Sequence, residues 1–455
     1  MKLTIIGAGG VRSPLLVKGI LDRAEELNLT SLALMDIDEK RLKIMSQVSK
    51  TITNYPNSVK IVWTTDKRYA LIDADFVITT FRVGGMEGRI LDETIPLKYN
   101  ILGQETTGPG GFAMAMRSIP VLFQYIELMK EVCPQAWIIN FANPSGLLTQ
   151  AALNHTDWRN IIGICDAPIS MAKVAAEILG VPQEAVSLDY FGLNHLGWVR
   201  SVNVNGKNIL PEFIRMMNEG LSIPDLHFPV DMINSLGMIP NEYLYYYYFS
   251  KTAVQNIKSA ERTRGQNIAL YNQELFRDLE AAINHQDVAE LKRVYMEYFL
   301  TRGKSYMNTE TGQEDTHSTL TADLIEDAAN SGYVGVAMDA IKALQGNKPK
   351  EMILNYLNSG SIFGLDPEDV VEIPYLVNSE VIAPVRVGEI PQHQLGLIQQ
   401  IKAYEKLTIR ACVNNSYNDA LMALVIHPLV ADHMLAKSIL DDLIAGHGDD
   451  FPKLG

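Results

Sequence analysis

"IIGAGGVRSP", residues 5–14, decides the fold. Two isoleucines close a short apolar run, glycines turn the chain, and a proline opens an amphipathic stretch. Gly7 and Gly9, with Gly10 beside them, match the first glycines of a dinucleotide fingerprint. Glycine there permits a tight turn and lets the backbone approach a pyrophosphate at a helix N-terminus. Ser13 stands roughly where a third glycine would be, so the match is partial. The next apolar run, "SLALMD", ends in Asp36, an acid placed to accept hydrogen bonds from ribose hydroxyls and so to favour NAD over NADP. The N-terminus superficially resembles a signal peptide. Its apolar part is short and soon meets Arg12, without a small-residue cleavage site, so it reads as a strand.

Outward from this turn the pattern repeats. "VKIVWTTD", "DADFVITTF", "AWIINFANP" and "NIIGI" read as further buried strands. Between strands lie amphipathic stretches such as "RSPLLVKGILDRAEEL" and "EKRLKIMSQVSKTI". This alternation predicts an α/β fold with a Rossmann-like, doubly wound parallel sheet. "GPGG" at 108–111 is expected to break the chain before a long helix, residues 112–132. After residue 190 the texture changes. "LGWVRSVNVNGKNI" predicts a hairpin turning at Asn205–Gly206. Helical patterns follow to the end, without repeats or long linkers. The division expected is an NAD-binding domain over 1–195, and an α+β, largely helical domain over 196–455 packed directly on it.

The chain has 455 residues, 47% of them hydrophobic, enough for more than one unit at about 100–200 residues each. A formal charge of -14 argues against nonspecific nucleic-acid binding, though a local arginine cluster can still hold an anion. No apolar run is long enough to span a bilayer. Cys133, Cys165 and Cys412 are too few and scattered for a disulfide framework, which fits a reducing, cytoplasmic setting.

Cys165 lies in "GICDAPI", directly after the last predicted parallel strand. A lone cysteine is ordinarily a small core residue. At the carboxyl end of a parallel strand, where ligands bind, a thiolate paired with an imidazole such as His195 suits a divalent transition metal. Two ligands are fewer than a structural zinc site needs and leave positions open for substrate oxygens. Asn143, in "NFANPSG", sits at the same sheet edge; its amide suits a sugar hydroxyl or a nicotinamide. "NEYLYYYYF", 241–249, holds five tyrosines that read mainly as packing. One beside a metal and an arginine could serve as a base. "SAERTRG" offers Arg262 and Arg264 to an anion, or a solvated loop.

"FRVGG" (81–85), "IPLKYNILGQETTGPGG" (95–111), "NFANPSG" (140–146), "GICDAPI" (163–169) and "GLNHLGW" (192–198) resemble, in order, the motifs of glycoside hydrolase family four. These are NAD- and manganese-dependent glycosidases, many acting on phosphoglycosides, and an exception to the two-carboxylate scheme. The resemblance is specific to about residue 265 and looser beyond. It implies NAD and Mn²⁺ or another divalent metal as cofactors, and a phosphorylated disaccharide or aryl glycoside as substrate. The implied route is oxidation at sugar C3, metal-assisted loss of the C2 proton to a tyrosine, departure of the aglycone, addition of water, and return of the hydride. Cys165 and His195 match the metal ligands and Tyr243 the base, with Tyr245 and Tyr246 left open by the repeated register. Arg89, Glu105, Asn143 and Asn194 match substrate-pocket positions, and Arg264, with Arg262 as the alternative, the arginine near the sugar and its phosphate.

The chain looks most like the 6-phospho-β-glucosidase branch, in which asparagine usually follows the cysteine. Here Asp166 follows, which looks like the 6-phospho-α-glucosidase branch, at a position where some members of the family carry a general acid. Two other classes compete: a lactate/malate-type dehydrogenase, which would accumulate NADH, and a non-catalytic NAD sensor, which would bind NAD without a metal. The resemblance further implies a homodimer or homotetramer.

Overall fold

The computed structural model describes residues 1–223, 226–313, 328–330 and 332–455. Strands β1 (Lys2–Ile6), β2 (Ser31–Met35), β3 (Lys60–Thr64), β4 (Phe76–Thr79), β5 (Trp137–Asn140) and β6 (Ile161–Gly163) form a parallel sheet in the order β3-β2-β1-β4-β5-β6. This is the strand order of dinucleotide-binding folds. Helices α1 (Ser13–Asp22), α2 (Glu39–Ile52), α3 (Lys67–Leu71), α4 (Gly85–Lys98), α5 (Gly108–Val132), α6 (Ser145–His155) and α7 (Ala167–Leu179) connect or follow the strands. The strands are apolar throughout because they are covered on both faces: Leu3, Ile5, Leu32, Leu34, Ile78, Ile138 and Ile161 have no exposed surface.

Residues 108–111 do not break the chain ahead of the long helix; they are its first turn. Pro109 is tolerated there because the first helical N–H groups lack partners in any case. Side chains at Gly110 and Gly111 would stand 2.0 Å from the Gln104 carbonyl oxygen and 2.4 Å from that of Thr106. The glycines thus press the helix start onto the 104–106 loop.

The sheet continues beyond β6 into three antiparallel strands from much later in the chain: β11 (Lys350–Leu357), β12 (Val370–Val377) and β13 (Ile382–Pro384). β7 (Val186–Leu193) and β8 (Leu196–Val204) form a hairpin in a second sheet, whose two-residue tip is Asn194–His195. The expected division at 195 therefore falls at a hairpin tip. The turn at Asn205–Gly206 exists, with φ of 50° and 80°, but its second arm, β9 (Lys207–Asn208), is only two residues long. β10 (Ile239–Pro240) pairs with β8 and leads into the tyrosine run. Helices Arg264–Asn284 and Val288–Lys304 pack on α2, burying Leu275, Leu279 and Tyr295 against Val11, Leu15 and Met45. Tyr295 Oη donates to the Val11 carbonyl at 2.8 Å, tying these helices to the glycine turn.

Candidate active site

The glycine turn is built around contacts that exclude side chains. Gly7 has φ +96°, and a Cβ there would lie 2.7 Å from the Phe81 nitrogen. Gly9 N–H donates to Asp36 Oδ2 at 2.8 Å, and a Cβ at Gly9 would meet the same oxygen at 2.9 Å. Gly10 N–H returns to the Gly7 carbonyl at 3.1 Å, and Ser13 N–H to that of Gly10 at 3.0 Å, starting α1. Asp36 Oδ1 accepts from Asp38 N–H, so the acid is fixed at the end of β2. From this turn a cavity of about 1510 Å³ runs to Asn143, Asp166, Tyr243 and Arg264. It exceeds the few hundred to 1,000 Å³ usual for one small ligand.

At its far end, elements distant in sequence converge. Cys165 follows β6 and is 4% exposed; His195, equally buried, occupies the hairpin tip with φ +63°. Thr106 Oγ1 donates its single proton to Gln104 Oε1 at 3.0 Å and lies 3.0 Å from His195 Nδ1. With the Thr106 proton on Gln104, Nδ1 carries the hydrogen and Nε2 is left as a bare lone pair. Nε2 is buried without a hydrogen-bond partner. Burial holds the imidazole at about 4, outweighing the carboxylate of Glu105, so it is neutral. The Tyr243 ring stacks on it, centroids 3.7 Å apart and 5° from parallel.

Burial, then the carboxylates of Glu372 and Asp166, pushes the Cys165 thiol well up. Burial, then Cys165 and Glu242, does the same to the Tyr243 hydroxyl, which is hydrogen-bonded to that of Tyr306. A neutral imidazole with an orphaned lone pair, beside groups that stay protonated without a cation, is a donor set suited to a divalent metal. Among the described residues no group of three or more His, Cys, Asp or Glu is arranged to hold a metal. This pair would leave the remaining coordination positions to groups from outside the chain.

The structure sends the five tyrosines in different directions. Asn241 Oδ1 caps Tyr243 N–H at 3.0 Å, and a 3₁₀ turn, Glu242–Leu244, precedes the helix Tyr245–Tyr248. Tyr243 faces the cavity. Tyr245 stacks on Phe249, Tyr246 is buried behind Tyr243, Tyr247 stacks on His427, and Tyr248 accepts from Trp198 Nε1.

A basic wall faces this end. Arg89 is buried, with Nε 2.9 Å from Glu93 Oε1 and Nη1 3.1 Å from Glu105 Oε1. Arg82 Nη2 lies 2.5 Å from Glu105 Oε2. Burial would raise the Glu105 carboxyl, but Arg82, Arg89, Arg302 and Arg264 together hold it at about 2. Glu93 Oε2 accepts from Gly265 N–H at 2.6 Å, fixing the helix start that carries Arg264. Arg264 donates to the Ser305 carbonyl and lies over the Tyr306 ring at 5.1 Å. Burial lowers Arg302 to about 10; its hydrogen-bond acceptor is the Tyr298 hydroxyl, 2.7 Å away. Arg262 does not join this wall: it is exposed and paired with Glu261.

Asn143 lines the cavity. Asn194 lies behind it: Oδ1 accepts from Ser145 N–H at 3.1 Å and Nδ2 donates to Glu372 at 3.2 Å. Asp166 faces the cavity from the start of α7, hydrogen-bonded to Tyr333 and opposite Arg12; burial raises its carboxyl and Arg12 opposes the rise. Arg12, Arg82, Arg302, Tyr306, Tyr333 and Glu372 were not singled out by sequence reasoning. Arg82 alone carried a local signal, since it lies three residues past the end of β4.

A model described as family 4 glycosyl hydrolase matches residues 2–181, and one described as the C-terminal domain of family 4 glycosyl hydrolases matches residues 190–430. A 6-phospho-β-glucosidase of Thermotoga maritima is 34% identical over 456 residues, covering 100% of both chains. A phospho-α-glucosidase of Clostridium acetobutylicum is 30% identical, covering 97% of this chain and 96% of its own. Among solved structures, the Thermotoga maritima 6-phospho-β-glucosidase with manganese, NAD⁺ and glucose 6-phosphate superposes with a TM-score of 0.84 at 32% identity, covering 100% of both chains.

Proposed function

Because the chain belongs to family 4 of the glycosyl hydrolases, we propose that it hydrolyses 6-phosphoglycosides, chiefly 6-phospho-β-glucosides, using NAD and a divalent metal such as Mn²⁺. One observation carries the reading: the buried, unpartnered Nε2 of His195, whose ring stacks on Tyr243, itself a wall of the cavity that begins at a dinucleotide turn. A 34% identical 6-phospho-β-glucosidase, and a solved structure of such an enzyme with manganese, NAD⁺ and glucose 6-phosphate, support it.

In this reading Gly7, Gly9 and Gly10 admit a pyrophosphate to the backbone, and Asp36 accepts from ribose hydroxyls with its remaining lone pairs. Cys165 Sγ and His195 Nε2 hold the metal. When bound, NAD supplies a reversible hydride acceptor at sugar C3, and the metal a Lewis acid whose charge favours the Cys165 thiolate and the Tyr243 phenolate. Tyr243 Oη takes the C2 proton, with Tyr306 steadying the hydroxyl. Arg264, Arg302 and Arg82 receive the 6-phosphate, and Arg89 with Glu105 fixes their spacing. Asn143 orients a sugar hydroxyl or the nicotinamide. Residues 1–195 thus carry the dinucleotide and residues 196–455 complete the sugar site.

Asp166 favours a second reading. A carboxyl raised by burial and facing the cavity can protonate a poor leaving group, which suits 6-phospho-α-glucosides as well. Aryl 6-phosphoglycosides fall within either reading. No helix among the described residues is long and apolar enough to cross a membrane. The three unpaired, buried cysteines support a reducing cytoplasm, and family likeness a homodimer or homotetramer.

The test offers 4-nitrophenyl α- and β-glucosides, each with and without a 6-phosphate, to enzyme with NAD, Mn²⁺ and a thiol reductant. Release from the phosphorylated β compound, lost without NAD or metal, is expected. Release from the α compound alone would transfer the assignment to that anomer. Steady NADH accumulation from a hydroxy acid, with no release, would replace the glycosidase by a dehydrogenase.

A further inference from the structure

We propose that Glu372 is a positioning residue that sets, from one buried point, both the turn carrying His195 and the segment carrying Tyr243. It rests on the reading of those residues given above. Glu372 belongs to β12, 178 residues past Asn194 at the hairpin tip, and is 1% exposed. Its Oε1 accepts from Asn355 Nδ2 at 2.7 Å and from Asn194 Nδ2 at 3.2 Å. Its Oε2 accepts from Tyr190 Oη at 3.0 Å. Two arms leave this hub.

The first arm is Asn194, the residue before His195 at the hairpin tip. The other end of its amide accepts from Ser145 N–H at the start of α6. One side chain thereby links the tip to the edge of the parallel sheet, where β6 delivers Cys165. The second arm is Tyr190. Its hydroxyl accepts from Asn241 Nδ2 at 3.4 Å, and Asn241 Oδ1 in turn accepts from Tyr243 N–H at 3.0 Å. Asn241 is fully buried and also donates its own N–H to the Gly197 carbonyl. The Tyr190 hydroxyl has no room to wander, since a Cβ at Gly197 would lie 2.2 Å from it.

Burial raises the Glu372 carboxyl to about 7, and the hydrogen bonds from Asn355, Asn194 and Tyr190 oppose the rise; in its ionised form it only accepts, so it can gather three donors where an amide could not. All three donors here are neutral. For stability alone, well-packed apolar residues serve as well as buried charge or better. The arrangement makes sense as orientation: it fixes the ring that presents Nε2 and the backbone that presents Tyr243 to a common partner. Supports of this kind typically change metal affinity or activity by about 10–100-fold when removed.

The test compares wild type, Glu372→Gln and Tyr190→Phe. Three readouts are taken: the thiolate-to-metal charge-transfer band after loading with Co²⁺, kcat and KM on 4-nitrophenyl β-glucoside 6-phosphate with NAD and Mn²⁺, and NAD affinity by calorimetry. Glu372→Gln is expected to shift the cobalt band and lower kcat about 10–100-fold, with NAD affinity unchanged. Tyr190→Phe cuts only the second arm, so it should keep the wild-type band and still lose kcat about tenfold, with KM little altered. Wild-type band and kcat in both variants would overturn the proposal. If Glu372→Gln does not fold, Tyr190→Phe decides: an unchanged kcat refutes the hub. A wild type without a charge-transfer band would instead refute thiolate ligation by Cys165, and the kinetics of Tyr190→Phe would still judge the arm to Tyr243.

Discussion

Replacing Glu105 by glutamine should weaken the empty protein and sharpen its response to phosphate. The carboxylate lies 3.1 Å from Arg89 Nη1 and 2.5 Å from Arg82 Nη2, and its side chain is 20% exposed. Its carboxyl is held at about 2 against an ordinary 4.5. That difference corresponds to roughly 3 kcal/mol. Because the folded-state value is depressed, this stabilisation is complete above about pH 4.5 and lost as pH falls through about 2. Glutamine keeps the shape and removes the charge, leaving the guanidinium groups of Arg82, Arg89, Arg264 and Arg302 to face one another. A chain of this length unfolds with roughly 1 kcal/mol/K of entropy. The expected loss in melting temperature is therefore about 3 °C at neutral pH and low salt. Inorganic phosphate restores an anion among the same arginines, so the deficit should narrow as phosphate is added. Scanning calorimetry of both proteins, with and without phosphate, measures both effects. Equal melting temperatures in low salt, or a deficit that phosphate leaves untouched, would refute the reasoning.

Gly9→Ala places a methyl 2.9 Å from the Asp36 carboxylate and should weaken NAD binding at least about tenfold; calorimetric titration giving wild-type affinity would show that the turn has room to spare. Tyr243→Phe keeps the ring stacked on His195 but loses the hydroxyl, so turnover should drop about 10²–10⁴-fold while melting is little changed; near-normal kcat would move the base elsewhere. Asp166→Asn should spare 4-nitrophenyl substrates, whose leaving group needs no proton, and slow alkyl 6-phosphoglycosides; equal rates on both would remove Asp166 from acid catalysis. Burial holds His427 at about 3, below its ordinary 6.5, so its neutral state stabilises the fold above pH 6.5 and that contribution is lost as pH falls toward 3. His427→Gln should flatten the fall in melting temperature between pH 7 and 4, and an identical slope would disprove the assignment.

The parallel half of the sheet was legible because its strands are covered on both faces and read as unbroken apolar runs. β11 and β12 were not. β12 carries Pro374 although it lies between two partners, and proline ordinarily argues against a central strand. Asn355 and Glu372 break the apolar pattern of the same two strands, and both belong to the hydrogen-bond network behind Asn194 and Tyr190. The rule broken in sequence is thus the feature kept for the site. Cys165 and His195 could be singled out because strand ends and turns announce themselves. Arg12, in the turn before α1, and Arg302, on a helix, could not, since neither position shows in sequence what the guanidinium faces. Tyr243 was singled out from its neighbours by Asn241, whose cap puts a 3₁₀ turn before the helix and swings one ring away from the rest.

The late strands also set a timetable for synthesis. β6 pairs with β11 through Asn355 and Gly163 alone, and the sheet is complete only at Pro384. Roughly 220 residues must leave the ribosome between β6 and the end of β13, about 10–45 s at ordinary elongation rates. Throughout that interval the nucleotide half presents an unpaired border to a crowded cell. The border is three residues long, too short a template to recruit a foreign chain readily. Brevity at β6 is therefore protection for the nascent protein, and a translation stall before residue 350 leaves a half-built sheet that nothing within the same chain can close.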